Sequence, residues 1–115
     1  MIDPLDMEQI QFIGVAKLPP EQQAVVQKLS TEYYGKIKRS VRNLTSMVVH
    51  IKEYKKEGTR HKYSIHVRVI CPSQIFESTK ASDWELERVL HKSFKDVERE
   101  IQHQLHTDDQ RIRME

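Results

Sequence analysis

Few residues in this chain have the types and spacing for chemistry. His50 and His66 hold matching positions in two strand-like runs, VVHIKEY and YSIHVRV. Two imidazoles facing each other across a strand pair can share a metal ion, but a useful site takes a third ligand, and none is assured on that face. Solvated sheet-face histidines are the favoured reading of so short a motif. His103 and His106 stand three apart on one side of an expected helix, with no intervening Glu of the metalloprotease type. A helix C-terminus favours imidazolium there without any ligand. Cys71 is the one cysteine, so neither an intrachain disulfide nor a cysteine zinc site can form. It falls on the core side of a strand, where a thiol is an inert packing residue.

The carboxylates Asp83, Glu85, Glu87, Asp96, Glu98 and Glu100 alternate with Arg88, Lys92, Lys95 and Arg99. Glu85–Arg88, Glu87–His91 and Lys92–Asp96 have helical ion-pair spacing, and Lys95–Arg99 is a repulsive pair at the same spacing. This is the pattern of a solvated, salt-bridged helix face rather than of a catalytic acid–base pair. Gly14, Gly35 and Gly58 match no phosphate-binding loop. Nothing supports an enzyme, and no cofactor or metal is expected.

Charge distribution is more informative. Over 115 residues the formal net charge is only +2. From Lys28 to Cys71, however, eleven basic residues face three acidic ones, giving +8 and leaving −6 for the two flanks. The cations are clustered: Lys36, Lys38, Arg39 and Arg42 at the end of a helix; Lys55, Lys56, Arg60 and Lys62 around a turn; Lys52 and Arg68 within strands. Phosphate neutralisation needs clustered Lys and Arg and no further motif. Aromatics on the open sheet face are scarce apart from Tyr54 near the turn, so phosphate and shape recognition of structured RNA fits better than a stacking platform.

These residues must be carried by regular elements. The length suits one domain with a modest core. Residues 1–7 read as a flexible leader, 8–106 as a single domain and 107–115 as a flexible tail. Glu8 to Val15 is a short strand candidate. Pro20 opens a helix running to about Val41, with a stripe of Val26, Leu29, Tyr33 and Ile37. Leu44 to Tyr54 and His61 to Cys71 alternate as strands joined by a loop of about Lys55 to Arg60. A pairing sum of 116 sets His50 opposite His66 and Lys52 opposite Ser64. Odd positions then form the buried face, and His50, Lys52, Ser64, His66 and Arg68 the open one. Gln74 to Thr79 is a weaker strand. Ser82 is the expected N-cap of a last helix running to about His106, striped by Leu86, Leu90, Phe94, Val97, Ile101 and Leu105. The expected fold is α+β, ordered β-α-β-β-β-α, with a four-stranded sheet and two helices packed on one face.

With that order on the page, the chain resembles the ribosome hibernation-promoting factor and ribosome-associated inhibitor family in its short form. The resemblance covers roughly residues 8 to 106. It rests on the element order, on Tyr33-Tyr34-Gly35-Lys36-Ile37-Lys38-Arg39 ending the first helix, and on a charged turn between two long strands. It also rests on Ser82-Asp83-Trp84 leading into the last helix, and on Val97-Glu98-Arg99-Glu100-Ile101, similar to the family's Leu-Glu-Arg-Gln-Leu. The resemblance implies binding to the small ribosomal subunit in the channel used by messenger and transfer RNA. It further implies blocked translation under stress and no catalysis. Implied phosphate contacts are Lys36, Lys38 and Arg39, with Arg88, Lys92, Lys95 and Arg99 in the last helix.

The reading is a non-catalytic, ribosome-associated RNA-binding protein regulating translation. Its partner is small-subunit ribosomal RNA, contacted by these cations together with Arg42, Lys52, Lys55, Lys56, Arg60 and Lys62. The alternative is a protein-interaction or self-association module of the same fold, in which basic middle meets acidic flank, with a homodimer as one form. The lone cysteine, the absence of signal-peptide character in Met1 to Glu8 and the lack of any run near 20 apolar residues lead to an expected cytoplasmic, membrane-free location.

Overall fold

The computed structural model describes residues 9–41, 43–58, 60–72 and 74–114, with side chains at 54–57, 60 and 105–114 outside that description. Its elements are β1 (Ile10–Ile13), a 3-10 turn (Val15–Lys17), α1 (Pro20–Ser40), β2 (Ser46–Glu57), β3 (Arg60–Ile70), β4 (Ile75–Asp83) and α2 (Leu86–Met114). The sheet order is β1-β2-β3-β4, with β1 parallel to β2 and the other neighbours antiparallel. The fold is the expected α+β arrangement. No helix among the described residues is long and apolar enough to cross a membrane.

β1 is shorter than the expected Glu8–Val15 because Gly14 turns the chain at φ +85°. A Cβ at Gly14 would collide with the Ile51 carbonyl oxygen, so only glycine lets the turn lie against β2. α1 begins at Pro20 and closes with the Val41 amide donating to the Ile37 carbonyl at 3.0 Å. Its stripe Val26, Leu29, Tyr33 and Ile37 is buried, as the spacing requires.

Across β2 and β3 the observed register sets His50 opposite His66 and Lys52 opposite Ser64. Met47, Val49, Ile51, Tyr63, Ile65, Val67 and Val69 are accordingly all buried beneath the helices. The connection is shorter than the expected Lys55–Arg60 loop. A bulge between Tyr54 and Lys56 extends the ladder until Glu57 pairs with Arg60, and Gly58 turns the chain at φ +64°.

β4 departs most from expectation. It runs to Asp83, and Ser82 pairs with Ser64 instead of capping a helix. A bulge lies where Ile65↔Ala81 gives way to Val67↔Ser78, placing one extra residue in β4. One residue reverses the side-chain parity. Phe76 and Ser78 face the core on one side of the bulge, and Ala81 on the other, all three buried. Asp83, paired with the buried Tyr63, is thereby turned to the helix side. Its Oδ1 accepts the Glu85 amide at 3.2 Å, the helix-start role expected of Ser82.

α2 buries Leu86, Val89, Leu90, Phe94, Val97 and Ile101, and runs on past the expected end at His106. His103 is therefore mid-helix, and the C-terminal setting expected for the His103/His106 pair does not hold. The two helices meet where the Tyr33 ring stacks on Phe94, with centroids 4.7 Å apart. The Tyr33 hydroxyl lies 2.7 Å from His91 Nδ1, so His91 is held across the helix interface rather than by Glu87 on its own helix.

Candidate nucleic-acid interface

Three surfaces carry the cations. The first is the end of α1. Lys36, Lys38 and Arg39 are exposed within its last turns, where the helix dipole favours positive charge. Lys36 Nζ sits 5.1 Å from the Tyr33 ring centre, a cation–π contact that aims the ammonium outward beside the interhelical seam. Arg39 Nε donates to the Gly35 carbonyl at 3.2 Å. Among the described residues neither Lys36 nor Arg39 has a carboxylate within ion-pair distance. Burial raises the pKa of the Tyr33 hydroxyl, with Glu98 and Glu32 adding to it, so the ring beneath Lys36 stays neutral.

The second surface is α2. Lys92 Nζ lies 2.7 Å from Asp83 Oδ2, Arg88 pairs with Glu85 at 2.9 Å and approaches Asp83 at 3.7 Å, and Arg99 is 3.5 Å from Asp96. Lys92 thus reaches back to β4 instead of making the expected pair with Asp96. Lys95 is exposed and has no carboxylate partner among the described residues. Asp83 is the hub of this group: the Lys92 hydrogen bond, then the Glu85 amide, hold its carboxyl at about 2, below the ordinary 3.8. Of Arg88, Lys92, Lys95 and Arg99, three therefore already have a carboxylate within 4 Å.

The third surface is the open sheet face, where the even positions of β2 and β3 project. Lys52 and Arg68 are exposed, Lys62, His50 and His66 half-buried, and Ser64 buried between its neighbours. The His50 and His66 rings meet edge to face with centroids 6.0 Å apart. Partial burial lowers the pKa of His50, assisted by Lys52 and then His66. Arg68 Nε donates to Glu77 Oε1 across the β3–β4 ladder at 2.7 Å. His50, His66, Arg68 and Glu77 line a concavity of about 150 Å³, which also takes in Ile13, Val48 and Thr79. Among the described residues no group of three or more His, Cys, Asp or Glu could hold a metal. Glu77 reaches this face by alternation with the buried Phe76 and Ser78, and the β4 bulge follows at Thr79 and Lys80.

The basic middle is not one patch. β2 starts near the end of α1 and runs away from it for 12 residues, roughly 40 Å at the usual rise. The Gly58 turn is thus at the far end of the sheet from Lys36, Lys38 and Arg39, and Lys52 and Lys62 lie on the opposite face from the helices. Arg42 lies outside the described residues, as do the side chains of Lys55, Lys56 and Arg60. Cys71 is buried as expected, and burial raises its thiol pKa, so it is a packing residue rather than a nucleophile. Searches against protein-family models and against curated proteins find no match.

Proposed function

We propose that this chain is a non-catalytic RNA-binding protein that contacts small-subunit ribosomal RNA and acts as a ribosome hibernation or translation-inhibiting factor. The observation that carries the reading is the end of α1. Three exposed cations stand there within one turn, and no acid pairs with Lys36 or Arg39 among the described residues. Lys36 and Arg39 thus keep their charge available for phosphates, whereas Arg88, Lys92 and Arg99 each have a carboxylate within 4 Å. The β-α-β-β-β-α order supports the same reading through the resemblance described above.

The test is binding of the chain to purified small subunits across a salt series, with Lys36→Glu, Lys38→Glu and Arg39→Glu combined. Wild type should bind at low salt. Removing three phosphate contacts should lower affinity at least tenfold and flatten the slope of log K against log salt by about 2. Unchanged affinity and slope would refute the assignment. A second reading, self-association, draws on Ile13 and Ile75, large apolar side chains 41% and 52% exposed on the sheet's outer strands. Concentration-dependent sedimentation without RNA would favour it.

A further inference from the structure

The concavity at His50 and His66 does not end at β1. A second hollow, of about 590 Å³, shares Ile13 and His50 with it and continues past Gly14 to Lys17 and Lys52. β1 ends where Ile13 pairs with His50, so β2 has no neighbour on that side beyond this point and the surface drops away. The two hollows form one trough running from β4 to the turn before α1.

Three cations, two imidazoles and two acids line it. Arg68, His66, His50, Lys52 and Lys17 follow one another along the trough. Of the two acids that line it, Glu77 is paired with Arg68, and Glu53 lies beside His61. Lys17 and Lys52 have no carboxylate partner among the described residues. No hydrogen bond joins His50 to His66 among the described residues, so their ring nitrogens remain available to an acceptor placed between them.

We propose that this trough is a second RNA contact, distinct from the end of α1, which takes the phosphodiester backbone along Lys17 and Lys52 beside the His50/His66 pair and binds more tightly on acidification as His50 takes up a proton. The inference rests on the RNA-binding reading above. Charge complementarity selects the occupant: Lys17 and Lys52, unpaired among the described residues and set beside two imidazoles, fit a polyanion. The groups facing the histidines are Ile13 from β1, Val48 and Lys52 from β2, Ser64 and Arg68 from β3, and Glu77 and Thr79 from β4. In the free protein, partial burial, Lys52 and the second ring hold His50 towards the neutral form. A phosphate seated between the rings reverses that preference. The folded, bound pKa then exceeds the free one, and binding strengthens as pH falls.

The experiment measures binding of a labelled RNA hairpin to the full chain by fluorescence anisotropy, at constant ionic strength and pH 5.5 and 8.0. For wild type the ratio of affinities at the two pH values should be about ten, one pKa unit of coupling. In His50→Gln/His66→Gln that ratio should fall to about one. Lys17→Glu/Lys52→Glu, on exposed positions, should weaken binding at both pH values and flatten the salt slope by about 1.5. A wild-type ratio near one, or a ratio near ten retained by the double histidine variant, overturns the inference. If α1 charge reversal abolishes binding while the trough variants leave it unchanged, the α1 reading stands and the trough falls. If wild type binds no RNA at either pH at low salt, both fall. Dimerisation lost in Ile75→Glu, with no RNA effect from the trough variants, assigns the face to a protein contact instead.

Discussion

Replacing Asp83 by Asn removes one charge while leaving an oxygen to accept the Glu85 amide. Asp83 joins two elements: it ends strand β4, accepts the Glu85 amide just before α2, and holds the α2 surface through Lys92 and Arg88. Its carboxyl sits at about 2 against an ordinary 3.8. At 1.36 kcal/mol per pKa unit, that difference is worth at most about 2.4 kcal/mol. The carboxyl is 11% exposed, but Lys92 and Arg88 are 53% and 59% exposed, so solvent screening reduces the stabilisation to about 1 kcal/mol. Because the folded pKa is depressed, this stabilisation is fully present above about 4 and is lost as pH falls towards 2. Urea unfolding should therefore show Asp83→Asn less stable than wild type by about 1 kcal/mol at pH 7. The gap should narrow between pH 4 and pH 2, where the folded carboxyl is half protonated. Equal midpoints at pH 7, or a gap undiminished at pH 2, would refute the assignment of Asp83 as the charged clamp between β4 and α2.

Gly14→Ala places a Cβ against the Ile51 carbonyl at a backbone angle of φ +85°. It should cost about 2–4 kcal/mol in chemical denaturation, the sum of left-handed strain and a local overlap. Gly35→Ala, where a Cβ meets nothing, should be neutral or slightly stabilising and serves as its control. Phe94 is fully buried and stacked on Tyr33, so Phe94→Ala should lose about 3–5 kcal/mol in the same assay.

The helices and the central hairpin were legible because their information is local and periodic. Val26, Leu29, Tyr33 and Ile37 recur at the helical period, and the odd positions of β2 and β3 alternate without interruption through the central pairs. One parity rule fixes the face of every residue in such a hairpin, so His50 opposite His66 followed from pattern alone. β4 was not legible in this way. Its bulge between Ser78 and Ala81 breaks the period at a point set by pairing with β3, and nothing in Phe76-Glu77-Ser78-Thr79-Lys80-Ala81 marks it. The misplaced helix cap at Ser82 traces to that one extra residue.

The sequence by itself determined the element order, the buried stripe of each helix, the core side of the hairpin and the excess of positive charge between Lys28 and Cys71. These depend on residue type and near-neighbour spacing. Only the tertiary structure decided where that charge stands. A strand carries the chain roughly 40 Å along one face, and a sheet separates the helix side from the open side, so residues close in sequence end on different surfaces. Ion pairing was decided there too. Lys92 and Asp83 are nine residues apart and became partners because a bulge turned Asp83 towards the helix, while Lys36 and Arg39 kept exposed positions on the last turns of α1. Which cations are neutralised is a property of three-dimensional proximity, and no count along the chain contains it.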